Sequence, residues 1–168
     1  MPGRMQSIGG NGCPTVVVDY AHTPDALKKV LQALREVTGG KLICVFGCGG
    51  DRDRGKRPMM GTIAAKFADA CIVTSDNPRN ENPLDIIAAI VAGMEAGNYR
   101  VIEDRGIAIA QAIHDAERAD TVLLAGKGHE SYQDIKRVKY PFSDIEQAKL
   151  ALASWSPRQH PNNRGAKA

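Results

Sequence analysis

No run of apolar residues in this 168-residue chain approaches the roughly 20 needed to cross a bilayer, which excludes a membrane-spanning helix. The opening Met1-Pro2-Gly3-Arg4 has no apolar stretch and does not read as a signal peptide, so the expected compartment is the cytoplasm. Cysteine is sparse. Cys13, Cys44, Cys48 and Cys71 form no C-x-x-C pair and are too scattered for a zinc ribbon or a disulfide scaffold. Cys44 and Cys71 lie in apolar runs, where a free thiol packs as a small hydrophobe, while Cys48 sits in a glycine turn. No neighbouring His or helix start favours a thiolate at any of them. Charge of one sign is missing too: the formal net charge is only +3, and the basic residues are not gathered on one helix face. That leaves no electrostatic footprint for nucleic acid. No internal repeat is present.

What remains is the composition of an ordinary globular domain, with 43% apolar and 24% charged residues. The length suits one domain with a real core. The chain alternates short β-branched runs with longer helical stretches. Thr15 to Asp19 reads as a buried strand, and Thr23-Pro24-Asp25 then supplies an N-cap, a first-turn proline and a first-turn acid. The helix that follows carries Leu27, Val30, Leu31 and Leu34 on one face and runs to Gly39-Gly40. Further strands are expected at Lys41 to Gly47, Ala70 to Thr74, Arg100 to Ile102 and Thr121 to Ala125. Helices are expected over Pro58 to Ala68, from Asn82-Pro83 through Ala96, and from Gly106 to about Glu117. Tyr132 to Lys139 reads as a polar edge strand or hairpin. Ser143 and Glu146 form a capping box for a last helix reaching Ser154. The domain is expected over residues 1–155, with 156–168 a polar, disordered tail.

Strands without apolar/polar alternation, each followed by a helix, indicate a mostly parallel sheet covered on both faces. Right-handed crossovers make this an α/β, doubly wound, Rossmann-like domain. In such sheets ligands bind beyond the carboxyl ends of the strands. The unusual residues of this sequence collect at those ends, in four loops beginning at Asp19, Gly47, Ser75 and Gly126. A surface loop needs polarity, but glycine, charge and amide in four loops on one sheet edge point to a functional rim.

Gly50-Asp51-Arg52-Asp53-Arg54-Gly55-Lys56 imitates the start of a phosphate loop between a strand and a helix. The next residue is Arg57, where Ser or Thr is needed for magnesium, and the internal acids would repel phosphate. The segment is therefore not a nucleotide triphosphate cradle. Arg54, Lys56 and Arg57 read instead as a solvated charge run.

Four motifs stand in order: Asp19-Tyr20-Ala21-His22-Thr23-Pro24, Gly47-Cys48-Gly49-Gly50-Asp51-Arg52, Asp76-Asn77-Pro78-Arg79 and Gly126-Lys127-Gly128-His129-Glu130. In sequence and spacing they resemble those of the UDP-N-acetylmuramoyl-tripeptide synthetases, the MurE-type Mur ligases. The resemblance runs from about Gly3 to the final helix. It implies an ATP-dependent, amide-forming ligase of peptidoglycan synthesis, which activates the glutamate carboxylate of UDP-MurNAc-L-Ala-D-Glu as an acyl phosphate. The amine of meso-diaminopimelate then displaces the phosphate. Such enzymes combine a UDP-binding domain, a central ATPase with a true phosphate loop, and a C-terminal Rossmann-like domain. Only the third is matched here. ATP and Mg2+ are then expected to be held mainly by the central part, with no metal site in this domain, and the domain alone is expected to be inactive.

The resemblance assigns meso-diaminopimelate binding to Arg52, Asp76, Asn77, Arg79, Gly126 and Glu130. The chemistry agrees: guanidinium forks suit carboxylates, and a carboxylate with a backbone carbonyl suits an ammonium. Relatives that add lysine lack the arginine of the Asp76–Arg79 motif, because lysine has no distal carboxylate. Arg79 is thus the expected specificity residue. By the same resemblance Arg4, Asp19 and His22 approach ATP, although His22 could equally bond to backbone and fix its own turn. Lys127 and His129 read as plain loop residues beside Glu130. Two rival readings are a related amide ligase adding lysine or another amino acid, and a stand-alone amino-acid- or nucleotide-binding module. The second would be marked by a complete phosphate loop, which is absent. A scaffold for protein partners would need a broad apolar stripe, and none is readable.

Overall fold

A computed structural model describes residues 3–95 and 97–157. Six strands form one sheet in the order β1-β2-β6-β3-β4-β5: β1 is Gln6–Gly9, β2 Thr15–Asp19, β3 Leu42–Phe46, β4 Ala70–Val73, β5 Tyr99–Val101 and β6 Thr121–Ala125. Every pairing is parallel except β1 with β2. The expected doubly wound α/β architecture is therefore present.

Alternate residues of each strand face opposite helix layers. Val17, Cys44, Phe46, Val73 and Leu123 pack beneath α1 (Pro24–Val37), α2 (Lys56–Phe67) and α3 (Pro83–Val91). Val16, Val18, Val45, Val122 and Leu124 pack against α4 (Arg105–Asp115) and α5 (Asp144–Ala153). Leu27 and Leu31 are fully buried on α1, each contributing roughly 1.5–3 kcal/mol by its removal from water. Helix starts follow the capping signals. Thr23 Oγ1 accepts from the Ala26 amide at 3.2 Å, Asn82 Oδ1 from Leu84 at 2.9 Å and Ser143 Oγ from Glu146 at 3.2 Å.

Some boundaries differ from expectation. Helix α3 ends at Val91 rather than Ala96, because Gly93 lies so close to the Pro58 carbonyl that the chain turns away against the start of α2. Helix α2 starts at Lys56, ahead of Pro58, which its first turn accommodates. Strand β5 begins one residue early, at Tyr99. The expected polar hairpin is β7 (Tyr132–Ile135) paired with β8 (Val138–Pro141), turned through Lys136 and Arg137 with positive φ. Strand β1 was not expected. Of the expected tail, Ser156 and Pro157 have no regular structure, and 158–168 lie outside the described residues, as does Ala96.

Candidate functional site

Strands β2, β3, β4 and β6 end on one rim, and their loops enclose a cleft of about 240 Å³. Every residue expected to hold the amino acid lines it: Arg52, Asp76, Asn77, Arg79, Gly126 and Glu130, together with His22. Arg4 and Asp19 do not. A cleft of about 590 Å³ opens at the opposite edge, among Lys41, Asp69, Arg100 and Asp120. Several of its charges are already engaged: Asp69 pairs with Arg35 at 2.9 Å, and Asp120 accepts from the Lys41 and Glu117 amides at 2.8 Å each. The smaller rim cleft carries the convergent chemistry.

Asn77 organises the rim. Its Oδ1 accepts from the Asp134 amide at 3.0 Å and Lys127 Nζ at 2.9 Å, and its Nδ2 donates to Glu130 Oε1 at 3.3 Å. The Asn77 carbonyl accepts from the Gly50 amide at 2.8 Å, tying the β3 and β4 loops together. Lys127 is not the plain loop residue its context suggested. It is fully buried, with Nζ also 3.0 Å from Asp76 Oδ1 and 3.2 Å from Glu130 Oε1. His129, by contrast, is exposed.

Arg79 has a left-handed backbone, φ 52°, held from both sides by the hairpin. Its amide donates to the Asp134 carbonyl at 2.9 Å, and its carbonyl accepts from Lys136 at 2.7 Å. Gln133 Nε2 adds a bond to the Asp76 carbonyl at 2.9 Å. The Arg79 side chain lies on Gly49 and gives Nη1 to the Gly50 carbonyl at 2.9 Å. Its Nε and Nη2 have no protein partner among the described residues and remain available to fork a carboxylate. Arg52 is exposed at the mouth of the cleft, bonded among the described residues only to the neighbouring Asp51 carbonyl at 3.0 Å.

The supposed solvated charge run is mostly engaged. Arg57 is buried and forks Glu81 at 3.1 and 2.8 Å, with a further bond to the Gly49 carbonyl at 3.1 Å. Lys56 Nζ donates to the His22 carbonyl at 3.0 Å, and only Arg54 lies in solvent, 3.4 Å from Glu81. Hydrogen bonds from Arg57 and the Asp51 amide hold the Glu81 carboxyl down at about 2. The same geometry answers whether phosphate fits the Gly50–Lys56 segment. Amides that would cradle it already serve carboxylates, Asp51 N with Glu81 and Gly55 N with Asp53. Among the described residues no group of three or more His, Cys, Asp or Glu side chains is placed to share a metal.

Asp19 is buried and engaged by backbone, with Oδ1 on the Ala21 amide at 2.7 Å and Oδ2 on the Met5 amide at 2.8 Å. His22 Nδ1 meets the Tyr20 carbonyl at 2.9 Å, so it fixes its turn. Arg4 is exposed beside Met5. Cys48 lines the cleft but is 4% exposed, and burial pushes its thiol up to about 12. Beneath the rim, Arg105 donates through Nη2 to the Ala125 carbonyl at 3.1 Å and through Nη1 to Ser75 at 3.4 Å, supporting the last residues before Gly126 and Asp76. Lys127, Arg57 and Arg105 are the residues that sequence reasoning missed. Each is a cation whose burial depends on partners distant in the chain.

A family model described as Mur ligase, glutamate ligase domain, matches residues 3–128. The chain belongs to the Mur ligase family. Among curated Mur ligases it is 59% identical over 158 residues to the UDP-N-acetylmuramoyl-L-alanyl-D-glutamate–2,6-diaminopimelate ligase of Chromobacterium violaceum, covering 93% of this chain and 32% of the relative. It is 58% identical over 154 residues to the ligase of that name from Pseudomonas aeruginosa, covering 91% of this chain and 32% of the relative. The chain thus spans 32% of the length of these curated relatives. A solved diaminopimelate ligase superposes with a TM-score of 0.86 at 46% identity, covering 92% of this chain and 32% of that one. A bifunctional folylpolyglutamate/dihydrofolate synthase solved with Mn, AMPPNP and L-glutamate superposes at 0.62 with 22% identity, over 90% of this chain and 32% of that one, and shares the fold alone. The general Mur ligase match stops at Gly128, before Glu130 and the hairpin. Coverage of 93% by the diaminopimelate ligase extends over both.

Proposed function

We propose that this chain is the part of an ATP-dependent ligase that binds meso-diaminopimelate and presents it to UDP-MurNAc-L-Ala-D-Glu in peptidoglycan synthesis. The observation that carries this reading is one small cleft holding both kinds of anchor an amino diacid needs. Arg79 offers an unused guanidinium edge and Arg52 an exposed one for carboxylates. Glu130, Asp76 and the Gly126 carbonyl supply acceptors for an ammonium. A ligand held at both ends has its amine oriented for attack, so the contribution of these residues is positioning. ATP with Mg2+ supplies the activation of the acceptor carboxylate, and this reading places both chiefly in portions of the relatives that this chain does not span. Arg4 would meet phosphate on closure. Asp19 and His22 would shape the nucleotide-facing turn through the backbone bonds described above. The working compartment is the cytoplasm, the working unit of this chain residues 1–155, and the domain by itself does not turn over.

The test is calorimetric titration of the chain with meso-diaminopimelate and with L-lysine, repeated on Arg79→Ala. Diaminopimelate should bind in preference to lysine, and the substitution should abolish the preference. Preference for lysine, or equal binding of the two, overturns the substrate assignment. Ligase turnover by the chain alone overturns the division of labour.

A further inference from the structure

Lys127 is 0% exposed, in a loop where lysine ordinarily reaches water. Its ammonium has three protons and meets three acceptors: Asp76 Oδ1 at 3.0 Å, Asn77 Oδ1 at 2.9 Å and Glu130 Oε1 at 3.2 Å. The flanking backbone turns it inward. Gly126 and Gly128 have φ of 112° and 56°, a conformation that costs a side-chain-bearing residue energy. A Cβ on Gly128 would stand 2.8 Å from the Gly3 carbonyl oxygen and 3.1 Å from Tyr20 Cβ. After this double turn the Glu130 amide bonds back to the Lys127 carbonyl at 3.0 Å, which returns Glu130 to the same cluster.

All three acceptors belong to the proposed amino-acid site, and the two carboxylates among them are only partly consumed. Asp76 Oδ2 and Glu130 Oε2 have no hydrogen-bond partner among the described residues. Asp76 Oδ2 stands 3.0 Å from where a side chain on Gly126 would begin, so glycine keeps it uncovered. Formally, two carboxylates and one ammonium leave a single negative charge, which one ligand ammonium cancels. The guanidinium of Arg105 below does not upset this balance, because Asp144 pairs with it at 2.7 Å. Without Lys127, two carboxylates facing one cleft would repel each other, and Asn77 would lose one of its anchors.

We propose that Lys127 is a positioning residue of the amino-acid site. It fixes one oxygen on each of Asp76 and Glu130 and the amide of Asn77, so that the two free oxygens form one seat for the incoming ammonium. This rests on reading the cleft as an amino-acid site.

The test uses NMR on the whole chain, with and without meso-diaminopimelate. In the wild type the Lys127 ammonium should give a slowly exchanging proton signal, unlike surface lysines. In Lys127→Met the Asn77 side-chain amide and Glu130 carboxyl signals should move, while the Arg79 guanidinium, bonded to the Gly50 carbonyl and not to Lys127, should not. Diaminopimelate affinity should fall by about tenfold or more, the scale of one lost charged hydrogen bond. A merely structural lysine would disturb Arg79 along with the rest. Rapid exchange of the wild-type ammonium overturns the proposal even if the variant does not fold. Unmoved Asn77 and Glu130 signals, or unchanged affinity, also overturn it. Expected signals in a wild-type chain that binds no diaminopimelate support the Lys127 contacts and refute the ligand reading.

Discussion

Arg105 and Asp144 form a two-point ion pair inside the protein, Nε to Oδ1 at 2.8 Å and Nη2 to Oδ2 at 2.7 Å, with both side chains 0% exposed. Burial alone would pull the Arg105 guanidinium down, but the charge and hydrogen bonds of Asp144, with smaller help from Asp76 and Glu130, hold it above its ordinary value. The pair joins α4 to α5 and braces the β4 and β6 ends from beneath. Arg105→Met or Asp144→Leu should each cost about 3–5 kcal/mol by leaving a buried charge alone. The double variant should lose less than the sum of the two, which urea unfolding of all four proteins measures directly.

Glu81 gives a prediction in acid. Its folded-state value of about 2 lies below the ordinary 4.5, so its contribution is complete above pH 4.5 and is lost as pH falls toward 2. Carbon-detected NMR should place the Glu81 midpoint near 2. Thermal unfolding followed between those pH values should show Glu81→Gln losing less stability than the wild type.

Asn77→Ala should remove one of the hairpin's ties to the rim, because Oδ1 is the acceptor for the Asp134 amide. Hydrogen exchange at Asp134 should quicken. Diaminopimelate binding should weaken by roughly tenfold or more as Glu130 also loses its amide partner. Protection at Val122 and Leu123, in the middle of the sheet, should stay as it was.

At Gly128 the backbone is left-handed and crowded by Gly3 and Tyr20. Gly128→Ala should destabilise the chain by at least roughly 1–2 kcal/mol, read from the shift in the unfolding midpoint. It should also loosen Lys127, seen as faster exchange of its ammonium.

The thiols divide by burial. Cys48 and Cys71 are pushed up to about 12 and Cys44 well above the ordinary value, chiefly by desolvation. Cys13 is half-buried. Iodoacetamide near neutral pH should therefore label Cys13 first in the folded chain, with mass-mapped peptides giving the order.

The strands, most of the helices and the four rim loops were legible because their signals are local. A β-branched run such as Val16–Val18 needs no partner to announce a buried strand, and Thr23-Pro24 caps α1 in place. Strand β1 was not legible: Gln6–Gly9 mixes polar residues with glycine and becomes a strand only by pairing with Thr15–Val18. The early end of α3 depends on contact between Gly93 and Pro58, which lie far apart in the chain. Arg57 and Lys127 carry the residue types of solvent-facing loops, and only the fold reveals that Glu81, Asp76 and Asn77 wait in the interior for them. At the site, residue types were readable, and the question of which cation supports and which binds was not.

The outer strands have a consequence for handling the chain at the concentrations these experiments need. A sheet invites stacking of further chains wherever a long, flat edge leaves its amides unpaired. Here β1 is four residues long and β5 three, and the outer strand of the hairpin carries Lys139 and Pro141. Short edges, a charge and a residue with no amide proton all oppose strand addition. Lateral aggregation by strand pairing should therefore contribute little to its behaviour in concentrated solution.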